Sequence, residues 1–214
     1  MSETTSKKRK ASLPLIIAGG VSSLVLALGM SPTFSAFTAS ITNSINTAGT
    51  GTLIMQETSG TSDPCLSTGG PNGLSGNAAT CASINKYGGT GTLLTPGGAP
   101  NITTVTITNV GKVAATSFSL APGTCTQSTP TTSTGSATNL CTKLHIKITT
   151  GATLVYEGSA EAFKTDQTLT PLAVGAFADY TFAVSLDSIA DATVNSYQGL
   201  QASQPLTWTF QAGR

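Results

Sequence analysis

The sequence predicts an all-β protein, an antiparallel β-sandwich that is jelly-roll-like. Three observations support this prediction. Apolar and polar residues alternate with a period of two in short runs from residue 36 onward. Clusters of Gly, Pro, Asn and Ser separate those runs, as turns do. Helical periodicity is hard to find in the same region. Two sheets built from such strands would bury their Val, Ile, Leu and aromatic faces and leave their Thr and Ser faces in water.

Residues 1–35 have the layout of a secretory signal peptide. A cationic start precedes an apolar stretch over residues 13–30, and the small residues Thr33 and Ser35 follow it. This pattern predicts cleavage by a signal peptidase between Ser35 and Ala36. The alternative is a retained transmembrane anchor, because about 20 apolar residues span a bilayer. Pro14 and several glycines within the stretch favour cleavage.

Residues 36–50 are predicted to be an N-terminal donor strand and its linker, followed by a β-sandwich domain over residues 51–214. The alternation assigns one face of the strand to Phe37, Ala39, Ile41 and Ile45, and the other to Thr38, Ser40, Thr42 and Ser44. A strand that stays unpaired until proteolysis frees it can join one chain to another.

Seven further runs predict the strands of the sandwich, at residues 53–55, 105–107, 118–120, 144–148, 154–156, 180–186 and 206–210. Two cysteine-bearing loops, 57–101 and 122–142, interrupt the pattern. Loops longer than about 15 residues are usually functional or disordered, and disulfides would make these two ordered surface decorations. A short helix is expected within residues 187–199.

The four cysteines are Cys65, Cys81, Cys125 and Cys141, and each sequential pair is separated by sixteen positions. An exported chain meets an oxidising compartment, which favours disulfides. Three connectivities are possible, of which the local one is the simplest. A loop of this size contributes about 3 kcal/mol in the chain-entropy model. Zinc knuckles need CxxC-type spacing, and none occurs.

Charge is sparse, at 9% of residues against a typical ~25%. From Ala36 onward five Lys and Arg214 oppose eight Asp and Glu, which gives a net charge of −2. The chain has no basic patch, so we expect no nucleic-acid partner. Little electrostatic repulsion would oppose close self-association.

No catalytic constellation is visible, and we expect neither an enzyme nor a cofactor or metal site. His145 is the single histidine, so neither a Ser-His-Asp set nor an HExxH site can be assembled. In the strand predicted at residues 144–148, the alternation places His145 on the solvent-facing side. The Gly-rich tracts lack the GK[ST] ending of a phosphate-binding loop.

Three stretches resemble the TasA/camelysin family of exported fibre-forming proteins. The first runs from Thr33 to Leu53 and contains Ala-Phe-Thr, then Asn-x-x-Asn-Thr, then Gly-Thr-Leu. The second is the strand, Asn-x-Gly turn and strand of residues 105–120, and the third is the Tyr-Gln-Gly and final strand of residues 197–212. The resemblance implies a jelly-roll subunit, released by a dedicated signal peptidase, whose N-terminal strand inserts into the next subunit. The cysteine-bearing loops and the shortage of charge depart from the family.

The sequence therefore predicts a structural subunit of an extracellular filament, in a biofilm matrix or on the cell surface. Its expected partners are copies of itself, a signal peptidase and an anchoring or accessory surface protein. The alternative is a monomeric secreted binding or adhesion module whose N-terminal strand closes its own sheet. An exported peptidase is a third reading, since camelysin relatives have been called metalloproteases, but no residue pattern supports it.

Overall fold

The computed structural model describes residues 47–131 and 133–213. The predicted signal peptide, its cleavage position at Ser35 and Ala36, and the donor-strand residues Phe37, Ala39, Ile41 and Ile45 lie outside the described residues. From Gly49 onward the chain forms a compact unit. Within this unit, structure that is mostly β confirms the predicted all-β, sandwich-like fold.

Eleven strands are present in the described part of the chain. They are β1 (Met55–Thr58), β2 (Cys65–Leu66), β3 (Asn101–Asn109), β4 (Ser117–Pro122), β5 (Thr126–Ser128), β6 (Leu144–Thr150), β7 (Thr153–Ser159), β8 (Gln167–Leu169), β9 (Phe177–Leu186), β10 (Gln201–Ser203) and β11 (Leu206–Gln211). The helices are single turns: α1 (Gly73–Gly76), α2 (Leu140–Lys143) and α3 (Asp191–Val194), with 3₁₀ turns at Ser67–Gly69 and Asn195–Tyr197.

The strands form two facing sheets and a short extension. The larger sheet has the order β2-β1-β3-β9-β6-β7, and the smaller has the order β11-β4-β8; every strand pair is antiparallel. The β10–β5 pair continues the β11–β4 pair past a bend, where Gly123 N donates to Pro205 O at 2.7 Å. The β4–β5 and β10–β11 segments thus behave as two long, bent strands.

The core lies between the two sheets. The larger sheet contributes Val105, Ile107, Ile146, Ile148, Tyr180, Phe182 and Val184, and the smaller contributes Phe118, Leu120 and Leu169. Aromatic rings bridge the sheets: the Phe118 and Tyr180 centroids are 5.9 Å apart in a T-shaped pair. Alternation along each strand places these residues on one face, as period two requires.

The short helix expected within residues 187–199 is present at Asp191–Val194. The structure differs from the predicted elements in two respects. The first strand of the sandwich begins at Met55 rather than at residue 53. Strands β2, β5, β8 and β10 were not predicted. Each has only two or three residues, too few to show a period, and pairing with distant neighbours creates them.

Both disulfides have the local connectivity, Cys65–Cys81 and Cys125–Cys141, with Cα separations of 6.1 and 6.0 Å. The two loops, predicted to be ordered surface decorations, also reach the domain interior. Cys125, Cys141 and Leu140 are buried, and so is Ile84 from the first loop. The loops contribute these few apolar residues to the domain interior because a sandwich leaves its open ends to be covered.

Candidate functional site

The last strand, β11, lies at an edge of the smaller sheet. Among the described residues it pairs on one side only, with β4. Its inward side chains Trp208 and Phe210 are only partly buried, whereas Phe118 on the neighbouring strand is 1% exposed. An edge strand with an incompletely covered aromatic face is a template for pairing with another strand.

A groove of about 1420 Å³ runs along this free edge. Strand β11 forms one wall, and β1 together with the cysteine-bearing segment 77–96 forms the other. Residues of the larger sheet, such as Val184, Leu186 and Leu144, also line the groove. The volume exceeds the 300–1,000 Å³ of typical small-molecule pockets. The strand beside it, β11, has six residues and therefore spans about 20 Å, a length along which another strand can pair.

The ends of the groove can be assigned from the strand register. We call the end of the larger sheet that holds Asn109 and Phe177 the lower end, and the end that holds Asn101 and Leu186 the upper end. Gln204, just before β11, donates to Ala160 O at the upper end. Thr116 N donates to the last residue of β11, Gln211, at the lower end. Strand β11 therefore runs from upper to lower.

The chain enters the sandwich at the lower end. Lys112 and Val113 both donate backbone hydrogen bonds to Thr52 O, at 2.6 and 3.1 Å. The buried amide of Asn109 holds this corner by donating to Val113 O at 2.9 Å and Leu172 O at 3.1 Å. Gly111 is required here, because a Cβ at that position would clash with the carbonyl oxygen of Thr52 and the backbone nitrogen of Ile54. The position of Thr52 is therefore fixed by specific contacts.

A polar cluster of three residues crosses the groove. Glu57 Oε1 accepts from Trp208 Nε1 at 3.0 Å and lies 2.6 Å from Lys86 Nζ. The side chains of Lys86 and Glu57 are 11% and 10% exposed, so the ion pair is largely desolvated. It connects β1, β11 and the segment 77–96. Removing one partner of such a pair would leave a largely buried charge without a counter-charge.

Tyr87 and Gln204 form a hydrogen-bonded group at the upper end. The Tyr87 hydroxyl lies 2.8 Å from Gln204 Oε1, and Gln204 Nε2 donates to three backbone carbonyls. Burial, and secondarily the nearby Tyr156, raise the pKa of Tyr87 well above its usual range. Burial also raises the pKa of Tyr180 to about 12. Both groups are neutral at physiological pH and act as hydrogen-bonding or packing groups.

The structure brings two carboxylates close to His145, at an exposed position. His145 lies on the outer face of the larger sheet, 3.7 Å from Glu157 and 4.0 Å from Asp187, and all three side chains are well exposed. The described residues contain no group of three or more His, Cys, Asp or Glu side chains suited to a metal ion.

Sequence reasoning missed the groove and its polar cluster. Glu57 and Trp208 are 151 positions apart, and no local signal connects them. The one relevant signal in the sequence was the single Trp208. A buried indole N–H usually finds a hydrogen-bond acceptor, and few charged acceptors exist in a sparsely charged chain.

A scan of protein-family models and a search of curated proteins find no match to this chain. Among the helices of the described residues, none is long and apolar enough to cross a membrane.

Proposed function

We propose that this protein is the structural subunit of an extracellular filament. In this proposal, residues 37–45 of one copy insert as a donor strand into the groove beside β11 of the next copy. The observation that carries the proposal is the open edge of β11, with its partly exposed Trp208 and Phe210 and the groove alongside. Strand addition to such an edge supplies backbone hydrogen bonds, and pockets for alternate side chains supply specificity.

The N-terminal segment has the properties that this groove requires. Its inward phase carries Phe37, Ala39, Ile41 and Ile45, and its outward phase carries Ser and Thr. Inserting it would cover the aromatic face of β11 and add a fourth strand to the smaller sheet.

Strand direction favours insertion into another copy over closure of the same chain. Residues 46–50 separate Ile45 from Gly51, which lies against Val113 at the lower end, so Ile45 stays within about 21 Å of that point. Within its own groove the segment could run antiparallel to β11 only if this linker were fully extended along the whole strand, and with a relaxed linker it would run from upper to lower, parallel to β11. A segment from another copy that enters at the upper end runs antiparallel to β11. Antiparallel pairs are more stable and more common.

Head-to-tail insertion of this kind does not close on itself, so it generates an open filament. The predicted signal peptide and the two disulfides agree with assembly outside the cell, because disulfides persist in oxidising compartments. Cleavage between Ser35 and Ala36 by a signal peptidase would free the donor strand only at export. The resemblance of residues 33–53 to the TasA/camelysin family supports a location in a biofilm matrix or on the cell surface.

Negative-stain electron microscopy of two purified chains tests the proposal. One chain begins at Ala36 and the other at Thr50. Filaments from the first and monomers from the second are expected. Monomers from both would contradict the proposal and favour a secreted module that closes its own sheet.

A matched pair of substitutions in the chain beginning at Ala36 tests the mechanism. Ile41→Asp places a charge on the inward phase, and Thr42→Asp places the same charge on the outward phase. We expect the first to abolish filaments, because burying an unpaired carboxylate is costly, and the second to preserve them. Sedimentation and microscopy measure both. Equal behaviour of the two variants would count against strand insertion.

A further inference from the structure

The inward phase of the donor segment contains one polar residue, Asn43, between Ile41 and Ile45. Hydrophobic alternation cannot by itself select a register for this segment. A slip of one residue would turn the apolar face outward, but a slip of two would preserve both faces. A filament built from identical insertions therefore needs a second device to choose among registers that differ by two residues.

The groove contains a matching polar group. The Glu57 and Lys86 side chains are about nine-tenths buried, and the Glu57 carboxylate contacts Trp208 and Lys86 through Oε1. Within residues 47–131 and 133–213, its Oε2 and the remaining protons of Lys86 Nζ have no other partner, so they are available to an inserted strand. An asparagine amide has both a donor and an acceptor, so one carboxamide can donate to the carboxylate and accept from the ammonium.

Positions along the two strands agree with such a contact. In an antiparallel pair, Ile45 opposite Leu206 at the upper end places Asn43 opposite Trp208 and Ile41 opposite Phe210. We propose that Asn43 of the inserted segment hydrogen-bonds the Glu57–Lys86 pair and so sets the register of insertion. This inference rests on the proposed function, since it concerns the same groove and the same segment.

Either neighbouring register would lose this contact. Asn43 would lie opposite Leu206 or Phe210, and an aliphatic side chain would lie against the carboxylate. A buried polar group without a partner costs more than an ordinary hydrogen bond contributes. Single buried polar residues fix the register of coiled coils by the same principle.

Disulfide trapping between copies tests the register directly in chains that begin at Ala36. The proposed register places Ser44 opposite Thr207, and both positions are on the outward phase. Ser44→Cys with Thr207→Cys should cross-link copies under mild oxidation. The pairs Thr42→Cys with Thr207→Cys and Ser44→Cys with Thr209→Cys report slips of two residues in either direction. Diagonal neighbours are about 7–8 Å apart, which is too far for efficient bonding.

We expect about tenfold more cross-linked product from the 44/207 pair than from either control pair. Adding Asn43→Leu should reduce this preference, whereas Asn46→Leu, an Asn substitution on the outward phase, should not. Equal cross-linking by all three pairs, or a preference that Asn43→Leu leaves unchanged, would overturn the inference while filaments still form. Absence of filaments from the unsubstituted chain would instead overturn the proposed function.

Discussion

Glu57 lies on β1 of the larger sheet, and its carboxylate accepts a hydrogen bond from Trp208 on β11 of the smaller one. The ion pair with Lys86 adds the cysteine-bearing segment to the same point. The cluster therefore connects the two walls of the groove.

We expect Glu57→Ala to destabilise the domain by about 3–5 kcal/mol, because it leaves a largely buried Lys86 without a counter-charge. Glu57→Ala combined with Lys86→Ala should destabilise less than Glu57→Ala alone. Denaturant unfolding measures both. Lys147→Ala is the matched control: its ion pair with Glu157, at 3.1 Å, is well exposed, and its removal should change stability little. A similar effect at both sites would contradict this account.

Tyr180 gives a pH dependence of stability at alkaline pH. Its folded-state pKa, about 12, lies above the usual value of 10.0 because burial disfavours the phenolate. Between these values the unfolded chain loses its proton and the folded chain keeps it. The contribution of Tyr180 to the free energy of unfolding should therefore be constant below pH 10 and fall between pH 10 and 12.

Tyr180→Phe should make this alkaline decline less steep, as measured by unfolding at several pH values from 8 to 12. Tyr197→Phe is a suitable control, because Tyr197 is not fully buried. An unchanged slope in the Tyr180 variant would show that other groups cause the decline.

At the scale of elements, the two disulfides are a natural comparison because their loops have equal length, with sixteen positions in each. Chain entropy alone predicts the same contribution from both, about 3 kcal/mol. Their surroundings differ, however. Cys125 and Cys141 are 8% and 7% exposed and belong to the core, whereas Cys81 is exposed.

Replacing Cys125 and Cys141 by Ala should therefore lower the melting temperature more than replacing Cys65 and Cys81 by Ala, because the first pair also loses core packing. Calorimetry of the two double variants measures the difference. Equal shifts would mean that loop closure outweighs packing at both positions. The Cys65–Cys81 variant should in addition loosen the groove wall formed by segment 77–96.

At the scale of the whole molecule, the direction of β11 decides how the sandwich can be completed. The strand ends at the lower end, which is also where the chain enters. An antiparallel fourth strand must therefore start near the lower end and run upward. A strand attached by a short turn after β11 has that direction, as in any β-hairpin.

We expect a chain of residues 49–214 followed by a short Gly/Asn-containing turn and residues 36–46 to be a stable monomer. Its transplanted strand would fill its own groove and leave none for another copy. Light scattering and thermal unfolding measure the outcome, with the same fusion carrying Ile41→Asp as the control. Filaments from the fusion, or no gain in melting temperature over the control, would contradict the antiparallel arrangement.

Part of this architecture could be predicted from the sequence. Alternation along residues 105–107, 144–148 and 180–186 identified central strands and their buried faces, because period two is a local property of each strand. The equal spacing of the cysteines favoured the connectivity that the structure has, although two others were possible. Turns with Gly and Asn were predicted for a similarly local reason.

The sequence by itself determined the fold class, the inward residues of the long strands and the alternating segment that we propose as donor. The tertiary structure alone decided that β11 is an edge strand within the described part of the chain, that a groove lies beside it, and that Glu57, Lys86 and Trp208 meet there. The physical reason is the distance along the chain between the residues that interact. Alternation follows from neighbouring residues, whereas an unpaired edge and a contact across 151 positions depend on the order in which distant strands pair.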